Sequence, residues 1–299
     1  MVDNRINLQI NPDTRPPRTD EYSVGVDREV GRRVAAAIAY VRKDGANFIG
    51  WTDVGGQYRE DMRTVAGRSV PVFSLINTTA DRRFLLTNQD SYSMTYNGLV
   101  TVLERRRANG WQAFGSYTFS RVYGLQPSSG TTAAGAQVST VAPPPGPQGI
   151  SFGRDPNDLT NARGRLANDR PHVFRVLGGV DVPRTGLVVA ANLQYFSGKP
   201  WAASAVVAVP QNNQQRILLE APGSRRLSSQ TLLDVRVSRT FLFSGLGRIE
   251  LLLDVLNVLS DKAEEGLLTD NLSSKNFAQP IAFVDPRRAM LSVRVSLGR

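Results

Sequence analysis

The stretch TLLDVRVSRTFLFSGLGRIELLLDVLNVLS, residues 231–260, holds two long runs of β character hinged at Ser244-Gly245. In the first run the odd positions Thr231, Leu233, Val235, Val237, Phe241 and Phe243 are mostly apolar, and the even positions Asp234, Arg236, Ser238 and Thr240 are polar or charged. In the second, Ile249, Leu251, Leu253 and Val255 alternate with Arg248, Glu250 and Asp254. Successive side chains of a strand point to opposite faces, so each run is a strand with one greasy side and one charged side. The fold turns on which medium lies against each.

The same period of two recurs along the chain in runs of about 9 to 15 residues bounded by Gly, Asn, Asp or Pro, and helical periodicity is almost absent. Strands are expected near 21–30, 32–43, 57–65, 69–77, 91–107, 110–122, 172–182, 186–197, 229–243, 246–259 and 287–298. Each hairpin is tight at one end, at VGR, RANG, PRTG and SGLG, and long at the other, through 44–56, 78–90, 123–171, 198–228 and 260–286. Residues 126–149 are low-complexity and are expected to form a mobile loop.

Short turns on one side and long loops on the other are the pattern of a transmembrane β-barrel, whose strands carry lipid-facing and lumen-facing residues in alternation. The last strand fits, with Ala289, Leu291, Val293, Val295 and Leu297 in one row and Ser292, Arg294 and Ser296 in the other. So do residues 172–182, where Phe174, Val176, Val180 and Val182 oppose Arg175 and Asp181. Small residues such as Gly178, Gly179, Ala190 and Ala191 suit places where a strand bends or another backbone lies close. Tyr22, Tyr40, Trp111, Tyr117, Phe119, Tyr195, Phe196, Phe241 and Phe243 sit near strand ends, where barrels carry aromatic girdles. The polar rows nominate Arg175, Arg236, Arg248, Glu250, Asp254 and Arg294 as lumen-facing residues, able to form a ladder of opposite charges between neighbouring strands.

Bulk composition agrees. With 41% hydrophobic residues the 299-residue chain is too apolar to be disordered as a whole. Having no cysteine, it forms no disulfide and no thiolate metal site. The net charge of +10 is almost wholly arginine, there being only four lysines, and it is scattered rather than gathered on one run, so nucleic acid is not expected as a partner. No stretch reaches the roughly 18 apolar residues of a membrane helix. The first 20 residues lack the basic and apolar regions of a secretory signal and read as a lead-in, with 21–299 as the barrel segment.

Catalytic chemistry finds little footing, and no catalytic residue, cofactor or metal site is expected. The single histidine, His172, follows DRP at a strand start without a Gly-x-Ser-x-Gly elbow. Glu264-Glu265 reads as a solvated pair. DPNDLTNARG, 155–164, lacks EF-hand spacing and reads as turn-forming. GANFIGWTDVGG, 45–56, lacks the pattern of a phosphate-binding loop.

Four segments carry a family resemblance: YNGLVTVLERRRANGWQAFGSYTFSRVYG (96–124), NDRPHVFRVLGGVDVPRTGLVVAANLQYFSGKPW (168–201), IELLLDVLNVLSDKA (249–263) and NFAQPIAFVDPRRAMLSVRVSLGR (276–299). They resemble the C-terminal barrel portion of TonB-dependent outer-membrane receptors, of the type with an N-terminal carboxypeptidase-regulatory-like domain. The resemblance implies an all-β, antiparallel up-and-down transmembrane barrel in the cell outer membrane, with about 10 to 12 strands of a 22-stranded family in this chain. It implies transport without covalent chemistry, and as partners the membrane lipid, an N-terminal plug, the other barrel half and the energy-coupling TonB complex. Neither a plug nor a coupling box is visible, so the chain is expected to be part of a longer receptor. It departs from the family by ending in Arg299 rather than an aromatic residue. The rival expectations are a self-contained small barrel acting as a pore or structural envelope protein, distinguished by a signal peptide directly before Met1, and a soluble basic β module.

Overall fold

Period-two runs bounded by turn residues become strands because alternate side chains can then meet different media while every backbone group pairs with a neighbour. The computed structural model describes residues 7–125, 152–243 and 247–297. The SGLG turn and the expected mobile loop 126–149 therefore lie largely or wholly outside the described residues. Nine long strands form one sheet: β1 Arg18–Gly31, β2 Val34–Ala46, β3 Ser93–Ala108, β4 Trp111–Leu125, β5 His172–Val182, β6 Leu187–Phe196, β7 Gln230–Phe243, β8 Gly247–Leu256 and β9 Arg288–Leu297. They neighbour one another in chain order, each pair antiparallel, and the short strand Gly164–Arg165 joins at β4. This is the up-and-down all-β wall that the alternation predicts. Its longest strands, 16 residues in β3 and 15 in β4, exceed the roughly 9 to 11 that cross the hydrocarbon.

One hairpin departs from expectation. The strands foreseen near 57–65 and 69–77 form as Tyr58–Val65 and Arg68–Leu75, but they pair only with each other, outside the wall. Alternation reports that the two faces of a strand differ, not what covers them. Here Val70 and Val72 are covered by protein. Smaller pairs fill the other long connections, including Ser204–Val209 with Asn212–Leu218 and Glu264–Leu267 with Pro280–Phe283.

The packed apolar interior lies among these connections and not behind the wall. One cluster joins Phe48, Tyr92, Leu125, Phe152, Ala162, Ala202 and Leu218. A second joins Val70, Val72, Ala205, Val209, Ile217 and Leu219. Together they make a cap over the long-loop end. At the other end the turns are tight: Asn109 and Gly110 both have positive φ, 52° and 80°, the left-handed pair that an Asn-Gly hairpin turn supplies.

The strand register sorts the wall into two faces. Val24, Tyr40, Leu99 and Phe119 stand in successive register on one face, and the pairs Leu193–Leu233 and Leu251–Val293 stand on the same face. That face has no protein cover, since Val24 is 70% and Leu291 77% exposed. An apolar surface spread over nine strands is far larger than a water-soluble monomer leaves bare. Among the described residues no helix is long and apolar enough to cross a membrane; the crossing elements are the strands.

Candidate functional site

The opposite face is polar, and all six nominated residues stand on it. Arg175 is in register with Gln194, and Arg236 with Ala190 of the same β6 row. Arg236 pairs across with Asp254, and Glu250 with Arg294. The Arg236 guanidinium donates from Nε to Asp254 Oδ1 at 2.5 Å and from a terminal nitrogen to Oδ2 at 2.9 Å. Arg294 reaches Glu250 Oε2 at 3.2 Å. Four of the six thus form two rungs of a charge ladder. Arg248 stands apart, between Leu242 and Ser296 in register. Arg175 lies over the Phe196 ring, 5.4 Å from its centroid. Phe196 shares this polar face, so it is no part of an outward girdle as expected; its position in the β6 alternation, one residue after outward Tyr195, decides this. A further rung, Lys43 to Glu21 at 2.8 Å between β2 and β1, was not foreseen.

Where the wall meets the cap, a collar of ion pairs encircles the ends of β4 to β7. Asp169 is fully buried, accepts from the Val122 N–H at 2.6 Å and is ion-paired with Arg226. Arg226 also donates to the carbonyls of Asp169 at 2.8 Å and Gly198 at 3.0 Å. Arg170 donates to Gln230 at 3.1 Å, and Lys199 and Gln230 both bond Glu265. Burial works to raise the Glu265 carboxyl, but Lys199, Gln230 and Arg170 outweigh it and hold it below the ordinary range. Glu264 accepts from the N–H of Ser228 at 2.8 Å and its hydroxyl at 3.0 Å. The pair Glu264-Glu265 is therefore engaged in the collar, not merely solvated as expected. Gly198 has no room for a side chain, because a Cβ there would meet Leu227 O at 1.7 Å. The sequence fragments NDRPH and SGKPW, which carry the family resemblance, supply Asp169, Arg170, Gly198 and Lys199 to this collar, and residues 226–230 and Glu264-Glu265 supply their partners.

His172 is placed by the same collar but faces outward. Its Nδ1 lies 2.7 Å from the Tyr117 hydroxyl, and its ring packs on Tyr117 and Phe119. It belongs to the aromatic belt on the loop side.

The cap holds a second buried polar knot. Asp53 accepts from Tyr58 at 2.6 Å, Arg82 at 2.7 Å and the N–H groups of Gly55, Gly56 and Arg83. Burial opposes its ionisation, but these donors prevail and lower its pKa. Asn157 mimics a strand partner, accepting from Phe73 N and donating to Phe73 O, both at 2.8 Å. Its own turn is capped by Asp155, which accepts from Asn157 N at 3.0 Å, in keeping with the turn-forming role expected of 155–164. Nearby, burial and the Asp155 carboxylate push Asp158 up to about 6. Among the described residues no group of three or more His, Asp or Glu is placed to hold a metal. These residues brace loops and present charge.

An all-antiparallel wall, apolar and bare on one face, polar and laddered on the other, capped at one end, defines a β-barrel wall of the outer membrane. The chain belongs to the outer membrane beta barrel domain family, whose model matches residues 4–259. No curated relative matches the sequence. Among solved structures it is similar to the outer membrane transporter YddB from Escherichia coli, at 15% identity and a TM-score of 0.54, covering 94% of this chain and 33% of that one. It is also similar to the siderophore receptor PirA from Acinetobacter baumannii, at 11% identity and TM-score 0.52, covering 96% of this chain and 32% of that one. The ferric-catecholate import receptor Fiu from E. coli K12 gives 12% and 0.52, with 95% and 28% covered. The chain spans about a third or less of the length of these structures, and at such identities the likeness is one of fold.

Proposed function

We propose that this chain is part of the barrel of a TonB-dependent outer-membrane receptor and serves the uptake of a large or scarce ligand without covalent chemistry. The observation that carries the reading is the direction of the strands. β1 and β9 both run from the loop side to the turn side, so closing the nine strands on themselves would set these two parallel in a wall antiparallel everywhere else. Antiparallel completion takes an odd number of further strands, as a larger barrel provides. A closed wall of about eight strands is also filled by its own side chains, whereas a barrel of about 22 leaves a lumen that a plug can occupy. On this reading the polar face lines that lumen, Arg175, Arg236, Arg248, Glu250, Asp254 and Arg294 among its lining, and the capped loops form the outer mouth. Its partners are the membrane lipid, a plug, the remaining wall and the energy-coupling complex. The neighbouring folds include siderophore and iron receptors, which makes ferric chelates the first ligands to test.

The test is uptake of a panel of labelled ferric chelates by cells expressing the complete reading frame, with and without an uncoupler. Uptake that stops when the inner-membrane gradient is collapsed supports the receptor. Entry of small solutes that ignores the uncoupler, with steady conductance in planar bilayers, would establish the rival pore.

A further inference from the structure

Four arginines without an ion pair among the described residues stand in the outward rows of the wall, where a lipid-facing surface should hold none: Arg28, Arg105, Arg121 and Arg239. Of those on the tight-turn half, Arg105 and Arg239 are each stacked on an aromatic ring. Arg105 on β3 lies in register between Val34 and Ala113, and Arg239 on β7 between Leu187 and Leu251. Charge in the midst of hydrocarbon is costly unless the side chain reaches the interface. Both do so in the same direction. The Arg105 guanidinium carbon sits 3.8 Å from the centroid of Trp111, the first residue after the tight turn. That of Arg239 sits 5.0 Å from Phe241, two residues nearer its own turn. Arg239 Nε also lies 3.9 Å from where a Cβ would stand on Gly186, inside the Val182–Leu187 turn. Among the described residues neither guanidinium is in an ion pair, and Arg105 Nε is buried with no hydrogen-bond partner. Arg107, also beside the turn, is by contrast paired with Asp181.

We propose that the tight-turn rim of the outward face carries two anionic-phospholipid sites, Arg105 with Trp111 and Arg239 with Phe241. In each the guanidinium receives the lipid phosphate while the acyl chains lie along the adjoining apolar row. The planar fork suits a phosphate, and stacking on the ring fixes its plane so that little freedom is lost on binding. The ring itself belongs at the headgroup level. On the loop side the outward Arg42 is held by Asp44 at 2.7 Å, and Arg121 lies 5.6 Å from the Phe119 ring centroid. The inference rests on the apolar face meeting lipid.

The experiment uses the protein of the complete reading frame refolded into vesicles of mixed phosphatidylcholine and phosphatidylglycerol, with brominated acyl chains carried on one lipid or the other. Trp111 reports, since Trp51 and Trp201 belong to the cap, and a Trp111→Phe chain supplies the background. Bromine on phosphatidylglycerol should quench Trp111 in clear excess over bromine on phosphatidylcholine, reflecting about a fivefold local enrichment for one arginine. Arg105→Gln should bring the two to parity, while Arg105→Lys keeps part of the preference and Arg239→Gln leaves it intact. Phe241→Trp in the Trp111→Phe chain reads the second site in the same way, against Arg239→Gln. Equal quenching by both lipids in an inserted chain, or a preference that survives Arg105→Gln, overturns the inference alone. Failure to insert into either vesicle overturns the lipid-facing reading as well.

Discussion

Replacing Asp169 by alanine should loosen the collar without unzipping the wall. The side chain is wholly buried, and two groups depend on it, the Val122 N–H at 2.6 Å and the Arg226 guanidinium. An orphaned buried N–H costs about 1 to 3 kcal/mol. Removing one partner of a buried ion pair costs about 3 to 5 kcal/mol. Arg226 keeps the Asp169 and Gly198 carbonyls as acceptors, and its side chain is 29% exposed, so water and backbone recover part of the loss. The net expectation is about 3 to 4 kcal/mol, which at 1.36 kcal/mol per decade speeds local opening by about 150- to 900-fold. Amide hydrogen exchange reads this directly at Val122, at Ser120, which donates to Pro171 O, and at Leu227, which donates to Lys199 O. Mid-wall amides of β8, such as Leu251, should keep their protection. Asp169→Asn retains an acceptor for Val122 and should fall between the two. Unchanged exchange at Ser120 and Leu227 in the alanine variant would refute the idea that this pair holds the collar shut.

Other expectations concern the cap. Asp158, pushed up to about 6 from 3.8 by burial and by Asp155, holds a proton in the folded cap that the unfolded chain has lost. Cap stability should therefore fall as pH rises from about 4 to about 6, by at most about 3 kcal/mol, and be level above; Asp158→Asn removes that slope in melts of the cap. Ile217→Ala, at a 1% exposed site in the second apolar cluster, should destabilise the cap by about 2 to 5 kcal/mol, while Leu291→Ala on the bare face leaves cap melting unchanged. Among the described residues the buried Tyr92 hydroxyl has no hydrogen-bond partner, so Tyr92→Phe should leave cap stability equal or higher by up to about 1 kcal/mol, measured the same way.

The wall was legible in the sequence because its rules are local. Two-residue alternation fixes the faces, and Asn109-Gly110 announces a turn that few other pairs can make. Once faces are known, all six charged candidates fall on one side, since a register consistent for Val235 is consistent for Arg236. Which of them touch is not local: Arg236 meets Asp254, and Arg294 meets Glu250, only through the pairing of β7, β8 and β9. The hairpin 58–75 misled because Val70 and Val72 alternate like wall residues but bury against Ile217 and Ala205. The collar was hidden for the same reason. Asp169 and Arg226, or Lys199 and Glu265, lie more than fifty residues apart, and only the quoted motifs marked their ends. Arg105 and Arg239 interrupt apolar rows that read as apolar overall, and the exception carries the information.

The cap also sets an order of events. Gln211 closes onto Leu75 and Phe73 across 136 and 138 positions of chain, and Asn157 onto Phe73 across 84. Contacts so remote in sequence are slow to find by diffusion of a free chain. Neighbouring wall strands, joined by short connections, bring those loops side by side at one rim. The mouth is therefore the last part of the chain to take shape, after the hairpins beneath it have zipped, and a lesion that stalls the zipping would first show as an open, protease-sensitive rim above strands that are already paired.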